Sequence, residues 1–176
     1  MQVLLFDPLQ SVRPADLAKE TVDAVIGEAK SKGRYYPLLS QMRVAGGADY
    51  IDYVRRALSA LPPEPRSFDG YDLRFFDDPA DMRAELLRLD AEVGLARLVA
   101  GFAWPWVSKS DKGAFDITVD RLALRWNATD KDWINAPGSV LEVGSIHTVQ
   151  GYDLNYAGVI IGPDLRYDEA SARIVV

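Results

Sequence analysis

Short apolar runs alternate with amphipathic segments along this chain, a rhythm that predicts an α/β protein built on a mostly parallel sheet. Val3-Leu4-Leu5-Phe6 reads as a buried strand running into Asp7-Pro8. Ala18, Val22, Val25 and Ala29 then recur at helical spacing, which predicts a helix from about Pro14 that Gly33 ends. Pro37-Leu38-Leu39 reads as extended, Ile51, Val54, Leu58 and Leu61 mark a second amphipathic helix, and Pro62-Pro63-Glu64-Pro65 is a rigid stop. Tyr71 to Phe76 alternates as a strand does. Asp78-Pro79-Ala80-Asp81 follows as an N-cap, a proline at the first helical position and an acidic first turn, with Met82, Leu86, Leu89 and Val93 turned to the core. Leu95 to Phe102, Val140 to Ile146 and Ala157 to Ile161 read as three more strands, and Leu165 to Asp168 with Arg173 to Val176 as a terminal hairpin. Between them, Trp104 to Pro137 forms an insertion rich in tryptophan and charge, holding a hairpin of Phe115 to Val119 against Leu122 to Trp126.

Apolar strands at both ends leave edges that intact domains usually cover or blunt, so a missing structural partner is expected. The 176 residues, 48% of them hydrophobic, suffice for one packed domain or for one domain with a piece of another. No apolar run reaches the length of a membrane span and the first residues lack the features of a signal peptide, which makes a cytoplasmic location the default expectation and a membrane partner unexpected. The absence of cysteine excludes disulfides, thiol nucleophiles and thiolate metal sites. A single histidine makes a His-based metal site improbable, and no metal ligands are expected in the chain. A net charge of −6 argues against holding DNA or RNA by an overall field, so any nucleic-acid contact must be local.

Common catalytic motifs do not account for the chain. Gly27-Glu28-Ala29-Lys30-Ser31-Lys32-Gly33-Arg34 has the wrong spacing for a phosphate-binding P-loop and falls at a helix end rather than a helix start. There is no GxSxG elbow, no HExxH and no GxGxxG. Asp77, Asp78 and Asp81 are explained by helix capping rather than by paired-acid catalysis.

Four segments, taken in order, carry a more specific signal: Phe6-Asp7-Pro8-Leu9-Gln10, Leu39-Ser40-Gln41-Met42-Arg43, Arg97-Leu98-Val99-Ala100-Gly101-Phe102-Ala103-Trp104-Pro105-Trp106 and His147-Thr148-Val149-Gln150-Gly151-Tyr152-Asp153-Leu154-Asn155-Tyr156. Together they resemble the downstream half of a superfamily 1 helicase-type ATPase, and within it the Schlafen group 3-like DNA/RNA helicase domain family. The resemblance spans nearly the whole chain and is most specific from Gly144 to Asp164. It implies a RecA-like, P-loop NTPase-type three-layer lobe with the Trp-rich hairpin as an insertion. Residues 1–66 would be the motif-bearing edge of a first lobe with connecting helices, and 67–176 a second lobe, incomplete at its C-terminal end.

By the same resemblance, Gln10 is similar to the γ-phosphate sensor of the third helicase motif, and Arg43 to the arginine of the fourth, whose guanidinium fork suits charge developing on phosphate. Read on their own, Asp7-Pro8 is a turn after a strand and Arg43 a surface arginine opening a loop. The turn at 147–153 matches the fifth motif: His147 and Thr148 toward a nucleic-acid backbone, Gln150, Gly151 and Asp153 toward the nucleotide, with glycine permitting close backbone approach and the carboxylate accepting from ribose hydroxyls. Many relatives in the wider superfamily carry Lys-Gly-Leu-Glu where this chain has Gln150-Gly151-Tyr152-Asp153, which weakens the phosphate contact here. His147 read alone is a satisfied histidine at a strand end, and Gly158 to Gly162 a core strand.

Trp104, Trp106, Trp126 and Trp133 lie among Lys109, Lys112, Arg121, Arg125 and Lys131, the combination on which single strands stack. Core packing is the competing use, and Trp104 and Trp106 are the pair expected to be exposed. Walker A and Walker B motifs are absent from the sequence, as is a sixth-motif arginine. The expectation is therefore a lobe that shares ATP and Mg2+ with a first RecA-like lobe and is inactive alone, with neither cofactor bound to the isolated chain. Its partners would be that lobe and DNA or RNA. A non-catalytic binding module is the alternative.

Overall fold

The computed structural model describes residues 3–5, 17–37, 44–58 and 63–175. The chain divides into two compact units, Met1–Ser40 and Gln41–Val176. The sequence-based boundary falls later, after residue 66. The compact division instead groups the second helix and the aromatic residues that follow it with the larger unit.

In the first unit, α1 spans Lys19–Ser31 and buries none of its residues. It stops where Gly33 takes a φ of 62°, a left-handed conformation that glycine adopts at little cost. Val3, Leu4 and Leu5 are each more than 70% exposed and outside any strand, contrary to the buried strand expected there. An apolar run becomes a strand only when a neighbour completes its ladder, and none of the described residues pairs with these three.

In the second unit, α2 (Gly47–Ala57) buries Tyr53. The Tyr50 and Tyr53 rings meet Phe68 with centroids 5.7 and 5.4 Å away, and Tyr50 also meets Tyr71 at 4.4 Å. Only Tyr71 of the expected Tyr71–Phe76 strand takes part in pairing, through one bridge to Phe68. The segment is tied to a helix instead of a sheet: Arg74 donates to Glu85 at 2.7 Å and to Asp72 at 2.8 Å. Alternation identifies an apolar face, but not a ladder partner.

Helix α3 (Pro79–Val93) starts as its sequence predicts. The Asp78 carboxylate accepts the Ala80 N–H at 2.7 Å, Pro79 occupies the first turn, and Gly94 at φ 72° ends the helix. The chain then enters β1 (Ala96–Ala100), the hairpin strands β2 (Ile117–Val119) and β3 (Leu122–Leu124), then β4 (Val143–Ser145). A four-residue helix, α4 (Ile146–Val149), leads toward β5 (Tyr156–Ile160), and β6 (Arg166–Asp168) pairs antiparallel with β7 (Arg173–Val175).

The central sheet has the order β4-β1-β5 and is parallel throughout, with Leu98 opposite Val143 and Gly158, and Ala100 opposite Ser145 and Ile160. Side chains alternate across it, so its two faces pack against different elements. On one face, Leu98 and Gly158 meet Leu86 and Met82 of α3. On the other, Gly144 backs onto the fully buried Trp133 and onto Val149 of α4. Arg97, also on that second face, is buried but paired: its guanidinium donates to Asp90 at 2.6 Å and to the Ile134 carbonyl at 2.5 Å.

The insertion is attached to the sheet rather than standing apart from it. Beyond β3, the Val143 N–H donates to the Arg125 carbonyl and the Asn127 N–H to the Val143 carbonyl, each at 2.9 Å. This covers the outer edge of β4, which would otherwise present unpaired backbone groups.

A Cβ at Gly144 would fall 2.5 Å from the rigid Trp133 ring. Gly144→Ala is therefore expected to destabilise the fold by about 1–3 kcal/mol through overpacking. The measurement is the urea midpoint, which should fall with little change in slope; an unchanged midpoint would contradict this packing.

Candidate functional site

The carboxyl edge of a parallel sheet is where open α/β proteins present their loops to ligands. Here the β1 chain leaves through Gly101-Phe102, β4 through Ile146-His147, and β5 through Ile161-Gly162. These exits meet. A Cβ on Gly162 would lie 2.2 Å from the Ala103 Cβ and 3.0 Å from the Trp104 ring, so this glycine is what lets the β5 and β1 exits touch.

Three aromatic side chains and one histidine assemble there. The half-exposed Phe102 ring lies 5.8 Å from the His147 imidazole, 6.2 Å from Trp106 and 5.5 Å from Trp126, centroid to centroid. Trp106 and Trp126 are 5.9 Å apart, and the Lys109 ammonium sits 4.1 Å above the Trp106 ring. These tilted contacts are favourable aromatic geometries, and the Lys109 contact is a cation–π pair. His147, Phe102, Trp106 and Lys109 thus form one row. Trp126 and Trp133 are buried and belong to the core, whereas Trp104 and Trp106 are half-buried against it, which divides the four tryptophans between packing and surface.

Two buried polar side chains hold this edge in place. Asp116 accepts the Ser108 N–H at 2.7 Å and the Trp126 N–H at 2.9 Å, joining the loop after β1 to the end of the hairpin. Burial alone would raise its pKa, but hydrogen bonds from Ser108, Trp126 and Val107 outweigh that and hold the carboxyl below its ordinary range. Asn127 accepts the Ser145 N–H at 3.2 Å and donates to the Thr129 carbonyl at 3.1 Å, joining the hairpin to the start of α4.

Thr148 is 3% exposed and its hydroxyl pairs with that of Ser145 at 2.8 Å. The outward-facing position expected for it is not met: in a four-residue helix beginning at Ile146, its side chain turns back over β4. His147 is exposed, as are Gln150, Gly151 and Asp153. Gly151 has a φ of 91°, and the Tyr152 N–H donates to the Val149 carbonyl at 3.2 Å. Asn155 donates to the Val93 and Gly94 carbonyls, both at 3.0 Å, beside the start of β1. The segment therefore runs back along the sheet, from His147 at the carboxyl edge to Asn155 at the amino edge. Five strand residues cover roughly 16 Å, so His147 is placed with the tryptophans while Asp153 is carried toward the opposite edge. Gln10 and Arg43 lie outside the described residues.

Sequence reasoning missed Phe102, Asp116 and Asn127. Phe102 reads as the end of a strand, and only its place just past the carboxyl end of β1 signals exposure. Asp116 carries no local signal, since the partners that it joins are 8 and 10 residues away, and the tie of Asn127 to Ser145 spans 18 residues. Among the described residues, no group of three or more His, Asp or Glu side chains is placed to hold a metal ion, and no helix is long and apolar enough to cross a membrane.

Comparison with known proteins places the chain in a family. No solved structure matches the chain significantly. An uncharacterised protein of Saccharomyces cerevisiae is 27% identical over 194 residues, covering 96% of this chain and 42% of the yeast protein, so the chain spans less than half of that relative's length. The model of the Schlafen group 3 DNA/RNA helicase domain matches residues 1–176. The chain therefore belongs to the Schlafen group 3 DNA/RNA helicase domain family.

Proposed function

We propose that this chain is the second RecA-like lobe, with the motif-bearing edge of the first, of an ATP-dependent DNA or RNA helicase or translocase. Alone it is inactive: the sequence carries no Walker A lysine or Walker B acidic pair, and the phosphate cradle would come from the companion lobe. The observation that carries this reading is the row of His147, Phe102, Trp106 and Lys109 along the carboxyl edge of a parallel sheet. Aromatic faces beside cations suit a single strand without selecting its sequence.

The residues present fit one part of a nucleotide. Asp153 is exposed and follows Gly151, whose φ of 91° allows the backbone to approach a ligand closely. Its carboxylate accepts hydrogen bonds from ribose hydroxyls, and Gln150 is assigned to the same ligand by its place in the motif. ATP with Mg2+ supplies the phosphoryl group transferred to water, while Gln10 and Arg43 are assigned the phosphate side. His147 touches the strand, and Thr148 acts through the Ser145 pair that shapes the turn rather than by direct contact.

The test compares this chain with the intact protein. The isolated chain is expected to show no ATP turnover, and the intact protein turnover that rises with single-stranded DNA or RNA. In the intact protein, Asp153→Ala should weaken nucleotide binding about 5- to 10-fold, the loss of one hydrogen bond of roughly 1 kcal/mol. Unchanged nucleotide affinity removes Asp153 from the site. An intact protein that binds strands without any turnover identifies a non-catalytic module instead.

A further inference from the structure

Beside Trp106 lies a cavity of about 240 Å3 whose wall includes Trp106, Lys109, Lys112, Arg125 and Trp126. Its two acids, Asp130 and Glu142, already accept internal hydrogen bonds. Glu142 takes the Trp133 indole N–H at 2.7 Å and the Ala128 N–H at 3.0 Å, and Asp130 takes the Asn127 amide at 3.3 Å. The cations are not neutralised by these acids. Arg125 donates to the carbonyls of Ala114 and Gly113, and Lys109 sits over the Trp106 ring. The Trp126 indole N–H is buried with no acceptor among the described residues.

We propose that this cavity seats one unstacked base of a single-stranded DNA or RNA, with the flanking phosphates on Lys109 and Lys112. The inference rests on the reading of the chain as a nucleic-acid motor lobe. The volume is below the roughly 300–1,000 Å3 of sites that enclose whole drug-sized ligands, so it suits a single planar ring rather than a complete mononucleotide. The base lies against Trp106, and the flexible stem of Lys109 lets its ammonium leave that ring for a phosphate. In a chain of net charge −6, this local pairing of rings and cations is what allows a polyanion to settle.

The test measures fluorescence anisotropy of labelled 12-mers of oligo-dT, oligo-rU and an abasic strand of equal length with the full chain at low salt. Trp106→Leu is expected to weaken the base-bearing strands about 5- to 150-fold and to leave the abasic strand unaffected. Lys112→Ala should weaken all three and reduce the slope of log affinity against log salt by about 0.7. Arg173→Ala, on the β6–β7 hairpin, is the charge-matched control. Because Trp106 packs against the core, Trp106→Phe is measured as well, and it should retain part of the affinity. Equal binding of abasic and base-bearing strands, no loss in folded Trp106 variants, or no binding by the unaltered chain each overturns the base pocket. The ratio of dT to rU affinity identifies the preferred strand. ATP turnover of the intact protein tests the motor reading separately, so a failed pocket and a failed motor are distinguishable.

Discussion

Asp116→Ala is expected to lower the stability of the larger unit by about 2–6 kcal/mol, because it strands two buried N–H donors, each costing about 1–3 kcal/mol. The donors are those of Ser108 and Trp126, and the carboxylate that serves them is only 7% exposed. Against a total of about 5–15 kcal/mol for a typical domain, this approaches unfolding at the upper end. The same contacts set a pH dependence. The folded carboxyl has its pKa below the ordinary value, so its contribution is fully present above the unfolded pKa of about 4 and is lost as pH falls through the folded value. Urea midpoints measured from pH 7 downward should show the unaltered chain losing stability in that acid range, and Asp116→Asn losing less there from a lower starting point. Parallel acid limbs for the two proteins would show that other carboxylates govern the transition.

On the proposed phosphate-side role, Arg43→Ala in the intact protein is expected to reduce ATP turnover by about 10³- to 10⁵-fold, the effect of removing an arginine that stabilises charge in phosphoryl transfer. Arg43→Lys should recover little, since an ammonium lacks the paired donors of a guanidinium. Single-strand binding in the absence of nucleotide should be unchanged in both variants, which separates a role at the phosphates from a general loss of fold. Turnover within ten-fold of the unaltered protein would remove Arg43 from the catalytic assignment.

Elements whose signal is local were legible in the sequence. Asp78-Pro79 announces α3, and the hairpin between Ile117 and Leu124 falls inside the expected segments. The three parallel strands also follow from apolar runs. Val3–Leu5 and Tyr71–Phe76 were misread for one reason: strand character depends on a hydrogen-bonding neighbour that can be far away in sequence. The site divides along the same line. Trp106 and His147 stand out as residue types in suggestive company, but their union depends on Phe102, contributed by the exit of another strand. Motif position points Thr148 outward, whereas its burial follows from the turn of helix at Ile146.

Asp116 and Asn127 together remove any joint between the insertion and the sheet: one side chain clamps both ends of the tryptophan loop, the other clamps β4. The insertion cannot swing as a separate arm. The His147, Phe102 and Trp106 rings therefore keep a fixed spacing, like teeth cut into a rack. On the proposed function, a stepwise advance along a bound strand must then come from displacement of the lobe as a whole.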